Sequence, residues 1–155
     1  MTTIAYNRGV IAYDGQSTWG SMICDSQYKK LKFIKNLAVF CSGSPSDLPH
    51  ILGAIEKDQV TVTRDTHGFE GIAVDIKGRL LQYGIDKKGR LWKEEISVAS
   101  PLAVGSGGAY AMGAMHFGAT AIEAVEVACK LDIYSGGEIS RWTIEEIAQV
   151  LEKQK

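Results

Sequence analysis

The residue whose type and position most clearly suit catalysis is a threonine near the start of the chain. Thr2 follows Met1 directly, and removal of Met1 would leave a threonine that carries both a hydroxyl and a free α-amine. An α-amine has an ordinary pKa of roughly 7.7–8.0, so it can accept a proton near neutral pH. Threonine paired with its own amine is a known combination of nucleophile and base. The dipeptide alone fits an ordinary N-terminus equally well, because many proteins begin with Met-Thr.

Other familiar chemistries lack their motifs. Cys24, Cys41 and Cys129 form no CxxC pair, and the three histidines have no HxxxH spacing. A zinc site and a disulfide framework are therefore not expected. The segment 105–108 is glycine-rich, but Tyr110 stands where a dinucleotide fingerprint needs its third glycine. We expect no metal and no cofactor.

The composition limits the class of protein. The chain has 155 residues, of which 45% are hydrophobic and 23% charged, and this favours one globular domain over residues 1–155. A net charge of −1 argues against nucleic acid or an anionic membrane surface as a partner. The apolar runs are shorter than the roughly 20 residues of a membrane span, and the first residues do not resemble a signal peptide. We expect a cytoplasmic protein.

The elements that must position the candidate residues are mostly short strands in the first two thirds. Turns are expected at 7–9 and 14–15, and extended structure is expected to begin again at 60–63 after a helix. The predicted extended segments are 2–6, 10–14, 21–24, 28–34, 37–42, 69–76, 79–83, 90–96, 102–104 and 138–142.

Helices are predicted at one place in the first half and at three places in the last third. Apolar residues at helical spacing indicate a helix at 48–57, with Asp47 as its cap. A small-residue helix is expected at 109–117. Capping boxes at Thr120–Glu123 and Thr143–Glu146 indicate two more helices, which run to about 131 and 151. Strands followed by helices favour an α+β fold.

Seven short segments, taken in order, resemble one known family. They are Thr-Thr-Ile-Ala at 2–5, Ile-Ala-Tyr-Asp-Gly-Gln at 11–16, Tyr-Lys-Lys-Leu at 28–31, Ser-Gly at 42–43, Val-Gly-Ser-Gly-Gly-Ala-Tyr-Ala at 104–111, Leu-Asp-Ile-Tyr-Ser-Gly-Gly at 131–137 and Thr-Ile-Glu-Glu at 143–146. Together they are similar to the proteasome β-subunit and HslV-like peptidase family, and they span nearly the whole chain. The resemblance implies an N-terminal nucleophile hydrolase, a four-layer αββα sandwich with threonine peptidase activity.

The resemblance also implies a role for individual residues. Thr2 matches the nucleophile, and Asp14 matches the aspartate that pairs with the catalytic lysine, here Lys30. The backbone N–H of Gly43 matches the oxyanion donor. The residues that match the group orienting the terminal amine are Ser106, Asp132 and Ser135, and those that match the wall of the pocket for the substrate side chain are Thr18 and Cys41.

The residues by themselves leave other interpretations open. Asp14 also fits a residue that closes a turn, Lys30 fits a solvated strand face, and Ser106 fits a turn. Asp132 and Ser135 also fit residues that cap the preceding helix. Two other functions share the fold that the resemblance implies: a non-catalytic assembly or shell protein, and an amidohydrolase that acts on a small amide.

The expected partners follow from the resemblance. They are an unfolded polypeptide or peptide substrate, further copies of the chain in a homo-oligomeric ring, and an ATPase unfoldase. Family members carry two long helices between the Ser-Gly segment and the central strands, whereas only 48–57 is predicted helical here. We therefore expect a smaller contact between rings than in the relatives.

Overall fold

A computed structural model describes residues 2–62 and 68–154. The described residues form eleven strands and four α-helices. The strands are β1 (Ile4–Asn7), β2 (Val10–Tyr13), β3 (Ser17–Trp19), β4 (Met22–Asp25), β5 (Leu31–Ile34), β6 (Leu37–Gly43), β7 (Phe69–Asp75), β8 (Leu80–Ile85), β9 (Leu91–Ile96), β10 (Leu102–Val104) and β11 (Ser140–Thr143). The helices are α1 (Leu48–Glu56), α2 (Gly108–His116), α3 (Ala121–Leu131) and α4 (Ile144–Lys153).

The strands form three antiparallel sheets. The order is β10-β1-β2-β11 in a four-stranded sheet and β5-β6-β7-β8-β9 in a five-stranded sheet, while β3 and β4 form a separate hairpin. Strand β1, which begins two residues after Thr2, therefore has a hydrogen-bonded neighbour on each side. The segment next to the candidate nucleophile is held as an inner strand.

The turn between β1 and β2 explains their register. Asn7 pairs with Val10, so only Arg8 and Gly9 form the loop, with φ angles of 48° and 81°. Positive φ at both loop residues matches the right-handed twist of the flanking strands, and glycine adopts it without steric cost. The sequence predicted a turn over 7–9, whereas Asn7 belongs to the strand.

Three apolar clusters hold the elements together. The first joins residues of the four-stranded sheet, such as Tyr13, to residues of the five-stranded sheet, such as Phe40, and includes Ile147 of α4. The second lies between the other face of the five-stranded sheet and α1. The third packs Ala5 and Ala12 against α2 and α3. Alternate residues of each sheet thus face different clusters, as the two-residue period of a strand requires.

The helices begin where the sequence indicates, with one difference in capping. The capping boxes at Thr120–Glu123 and Thr143–Glu146 are both formed. Asp47 is the N-cap residue of α1, as predicted, but its side chain does not make the expected capping bond. Asp47 has helical backbone angles (φ −87°, ψ −26°), so its carboxylate makes no capping bond to the described first turn of α1. A capping side chain needs the extended backbone that Thr120 and Thr143 adopt.

Most predicted strands are confirmed, with shorter limits at several ends. Strand β3 was not predicted, and residues 28–30, predicted as extended, precede β5 without belonging to a strand. Val60 to Val62 run beside the turn before β9, with a bridge from Thr61 to Arg90. Thr63, the last residue of that predicted segment, lies outside the described residues, as does Met1. No helix in the described ranges is long and apolar enough to cross a membrane.

Candidate active site

Thr2 is buried beside the turn that follows β10. It is 4% exposed, and its backbone nitrogen lies 3.1 Å from Ser106 Oγ, to which it donates a hydrogen bond. The N–H of Gly107 donates to the Thr2 carbonyl over 3.3 Å. The turn after β10 therefore fixes the position of Thr2 from one side, in addition to the strand pairing that follows it.

Ser106 is the first member of a chain of hydroxyl and carboxylate groups. Its Oγ donates to Asp132 Oδ2 over 2.6 Å, and Ser135 Oγ donates to the same oxygen over 2.7 Å. Burial raises the pKa of Asp132, but bonds from Ser106, Ser135 and the N–H of Tyr134 outweigh it, so the pKa lies below its ordinary value. An ionised Asp132 holds both hydroxyls in fixed orientations. Asp132 also follows α3 directly, as its C-cap.

Asp14 and Lys30 form a buried ion pair beside Thr2. Lys30 Nζ lies 2.6 Å from Asp14 Oδ1, and the two residues are 2% and 0% exposed. Lys30 therefore does not belong to a solvated strand face. Burial lowers the pKa of Lys30, and the neighbouring Asp14 carboxylate opposes that effect. Asp14 does more than close a turn, because its carboxylate also accepts bonds from three backbone N–H groups, two of which belong to other segments.

Two of these three bonds come from other segments of the chain, and the third comes from Gln16, two residues after Asp14. The N–H groups of Thr3, Gly136 and Gln16 lie 2.9, 3.0 and 3.3 Å from the Asp14 carboxylate. A carboxylate that is buried in this way is stabilised by its donors and its cation together. Asp14 thereby ties β1 and the 132–136 segment to the lysine.

Thr3 is a site residue that the sequence analysis did not assign. It is fully buried, its N–H donates to Asp14, and its Oγ1 lies 2.7 Å from Ser135 Oγ. Thr3 thus links the Asp14–Lys30 pair to the chain of Ser135, Asp132 and Ser106. The adjacent Thr2-Thr3 pair in the sequence was the available signal, because successive side chains of an extended segment point to opposite faces.

A cavity of about 1110 Å³ opens over these residues. Thr2, Lys30 and Gly43 line it, and so do the two residues that were expected in the pocket wall, Thr18 and Cys41. Gly43 is the last residue of β6. Burial raises the pKa of the Cys41 thiol to about 12, so this thiol stays protonated and is a wall residue rather than a nucleophile.

The predicted residues therefore meet in one place. Two hydrogen-bonded groups, Asp14–Lys30 and Ser106–Asp132–Ser135, lie against residues 2 and 3, next to a cavity large enough for a peptide segment. The described residues contain no group of three or more His, Cys, Asp or Glu side chains that could hold a metal ion. The arrangement provides a hydroxyl, a buried cation and oriented hydrogen-bonding groups, which are the parts needed for nucleophilic acyl transfer.

Comparison of this chain with solved structures shows a mixed α/β fold of the proteasome-like kind, with several antiparallel sheets. BPH from Thiobacillus denitrificans matches with a TM-score of 0.60 and 20% identity over 91% of this chain and 95% of that chain. The same protein in complex with epoxomicin matches with a TM-score of 0.62 and 20% identity over 91% and 96%. No family model and no curated protein matches the sequence. The finer HslV-like resemblance stays a prediction.

Proposed function

We propose that this chain is a threonine-type endopeptidase whose nucleophile is the Thr2 hydroxyl after removal of Met1. The observation that carries the proposal is the surroundings of Thr2. Its nitrogen lies 3.1 Å from Ser106 Oγ, and it lines the same cavity as a lysine that is fixed by a buried aspartate. A terminal amine in this position would have an oriented hydroxyl beside it, which suits a group that must accept and return one proton.

The proposed reaction uses each group once. Thr2 Oγ attacks the peptide carbonyl, and its proton passes to the α-amine through a water molecule. The oxyanion that forms accepts a hydrogen bond from the Gly43 N–H, an interaction typically worth about 3–4 kcal/mol in such sites. The amine returns the proton to the departing nitrogen, and water then hydrolyses the threonine ester. The Lys30 ammonium favours the neutral amine and a more acidic hydroxyl through its charge.

The three apolar clusters support the four-layer αββα arrangement as part of the proposal. One cluster lies between the two larger sheets, and the other two lie between a sheet and helices, α1 on one side and α2 with α3 on the other. In this arrangement β1, the strand that follows Thr2, belongs to an inner layer.

The complex of BPH with epoxomicin supports the same class of chemistry. Epoxomicin is a threonine protease inhibitor, and the protein that binds it shares the fold of this chain. We propose that epoxomicin reacts with Thr2 here as well.

We propose further that the chain assembles into a homo-oligomeric ring and receives unfolded polypeptide from an ATPase unfoldase. Large apolar side chains on the β3–β4 hairpin are exposed, with Trp19 at 78% and Ile23 at 63%. Exposed apolar side chains grouped in one hairpin are typical of surfaces that another chain covers. Light scattering at micromolar concentration tests this, and a strictly monomeric mass would contradict the ring.

The experiment that tests the activity is covalent labelling followed by mass spectrometry. Intact mass first shows whether Met1 is absent. Incubation with epoxomicin should then add one inhibitor mass per chain, located on the N-terminal peptide. The rate at which an unfolded protein is cleaved should decrease in proportion to the fraction of chains labelled.

Thr2→Ala should remove both labelling and cleavage while circular dichroism stays unchanged, and Thr2→Ser should keep part of both. A chain that retains Met1 and takes no label would favour a non-catalytic assembly protein. Labelling at Thr2 together with turnover of small amides but not of peptides would favour an amidohydrolase.

A further inference from the structure

Glu70 is a charged cavity residue that the proposed reaction does not use. It lies on β7 and lines the same cavity as Thr2, and it is exposed. Its Oε2 accepts a hydrogen bond from the N–H of Gly105 over 3.1 Å. Within the described residues, no lysine or arginine pairs with it. Of the described residues that line the cavity, only Lys30 and Glu70 are charged, and Lys30 is already paired with Asp14.

Glu70 and Cys41 lie on opposite faces of the five-stranded sheet. Glu70 is paired with Ser42, whereas Cys41 is paired with Gly71, and successive residues of a strand point to opposite faces. Cys41 belongs to the cluster with α1. Glu70 is on the face toward the four-stranded sheet, where it meets Gly105. The cavity therefore has two separate side-chain positions at the end of β6.

The position of Gly105 indicates which part of the substrate Glu70 would contact. Gly105 immediately precedes Ser106, whose Oγ contacts the Thr2 nitrogen. In the proposed reaction that nitrogen protonates the departing amine, so the departing part of the substrate lies on this side. Neighbouring side chains of an extended peptide point in opposite directions. If the Thr18 and Cys41 wall takes the side chain before the scissile bond, the side chain after it points toward Glu70.

We infer that Glu70 forms a subsite for a basic side chain, lysine or arginine, on the residue that follows the scissile bond. The inference rests on the proposed peptidase function and adds a substrate preference to it. The bond from Gly105 holds the carboxylate in place without neutralising its charge, so a substrate cation that enters the cavity gains an ion pair.

The test uses internally quenched peptides that differ only at the residue after the scissile bond, with lysine, glutamine or glutamate there. Mass spectrometry of the products fixes the cleavage position. The wild-type chain should cleave the lysine peptide with a kcat/KM about fivefold above the glutamine peptide, the effect of an ion pair in a hydrated site. This ratio should decrease at high salt.

The variants separate charge from structure. Glu70→Gln should bring the ratio to about one, because the amide oxygen can still accept the bond from Gly105 while the charge is lost, and Glu70→Lys should favour the glutamate peptide. Glu95→Gln is the matched control, because Glu95 is an exposed acid on β9 that does not line the cavity, and it should keep the wild-type ratio.

Each other outcome overturns a defined statement. Thr2-dependent cleavage with the same ratio in wild type and Glu70→Gln overturns the subsite alone. So does a charge preference that follows the residue before the scissile bond. Absence of any Thr2-dependent cleavage overturns the proposed function, and the subsite is then overturned with it.

Discussion

The ion pair between Lys30 and Asp14 gives the sharpest quantitative prediction. Lys30→Met removes the ammonium and keeps most of the side-chain volume, which leaves the Asp14 carboxylate buried without its cation. Breaking a buried pair in this way typically costs about 3–5 kcal/mol. Asp14 retains three backbone N–H donors, from Thr3, Gly136 and Gln16, so we expect the lower end of that range.

Lys29→Met is the matched control. The Lys29 side chain is 60% exposed, and its nearest acidic partner, Glu138, is 4.0 Å away. An exposed pair of this kind contributes at most about 1 kcal/mol. The free energies of unfolding of the two variants, measured by urea unfolding with circular dichroism, should therefore differ by about 2 kcal/mol or more. Cleavage should decrease by orders of magnitude in Lys30→Met only.

A double variant tests the physical cause. Adding Asp14→Asn to Lys30→Met removes the unpaired charge, so the two effects should be less than additive by about 2 kcal/mol. Lys30→Met with a free energy of unfolding equal to that of Lys29→Met would refute the argument, and so would strict additivity in the double variant.

Three further predictions concern the rest of the site. Thr3→Val should keep the packing but reduce kcat more than it raises KM, because the Ser135 hydroxyl loses one of its two partners and keeps only Asp132; Thr3→Ser should restore the rate in the same peptide assay. The pKa of Asp132 is lowered in the folded chain, so its ionised carboxylate adds stability at pH values above its ordinary pKa. This stability is lost as the pH falls through the pKa of the folded chain. The difference in free energy of unfolding between wild type and Asp132→Asn should therefore shrink on acid titration below about pH 4. Gly105 has φ +96°, and a Cβ there would collide with the Thr2 carbonyl, so Gly105→Ala should abolish epoxomicin labelling even where circular dichroism shows a folded chain.

The sequence predicted best those features that depend on neighbouring residues. The capping boxes at Thr120 and Thr143 formed as expected because a cap needs only residues three positions apart. Asp47 is the exception, since its cap depends on a backbone angle that the residue type alone does not determine. Strand β3 has only three residues and, among the described strands, pairs with β4 alone, which gives too short a pattern to recognise.

The site was predictable only in part, because its contacts join distant segments. The Thr2 nitrogen and Ser106 Oγ are 104 positions apart, and no local pattern links them. The ordered motifs indicated the residues, but their roles follow from the resemblance and stay predictions. Thr3 and Glu70 were missed for the same reason: their partners, Ser135 and Gly105, are far away in the sequence.

The pairing of β1 has a consequence for the order of folding. Strand β1 is made first, but its neighbour β10 ends at Val104, and the Asp14 carboxylate is complete only when Gly136 has arrived. Contacts across such long separations form slowly, because a large loop must close before they contribute any stability. During synthesis Thr2 therefore remains without most of its partners until most of the chain has left the ribosome. Under the proposed function, the site of a nascent chain would therefore stay incomplete until synthesis is nearly finished.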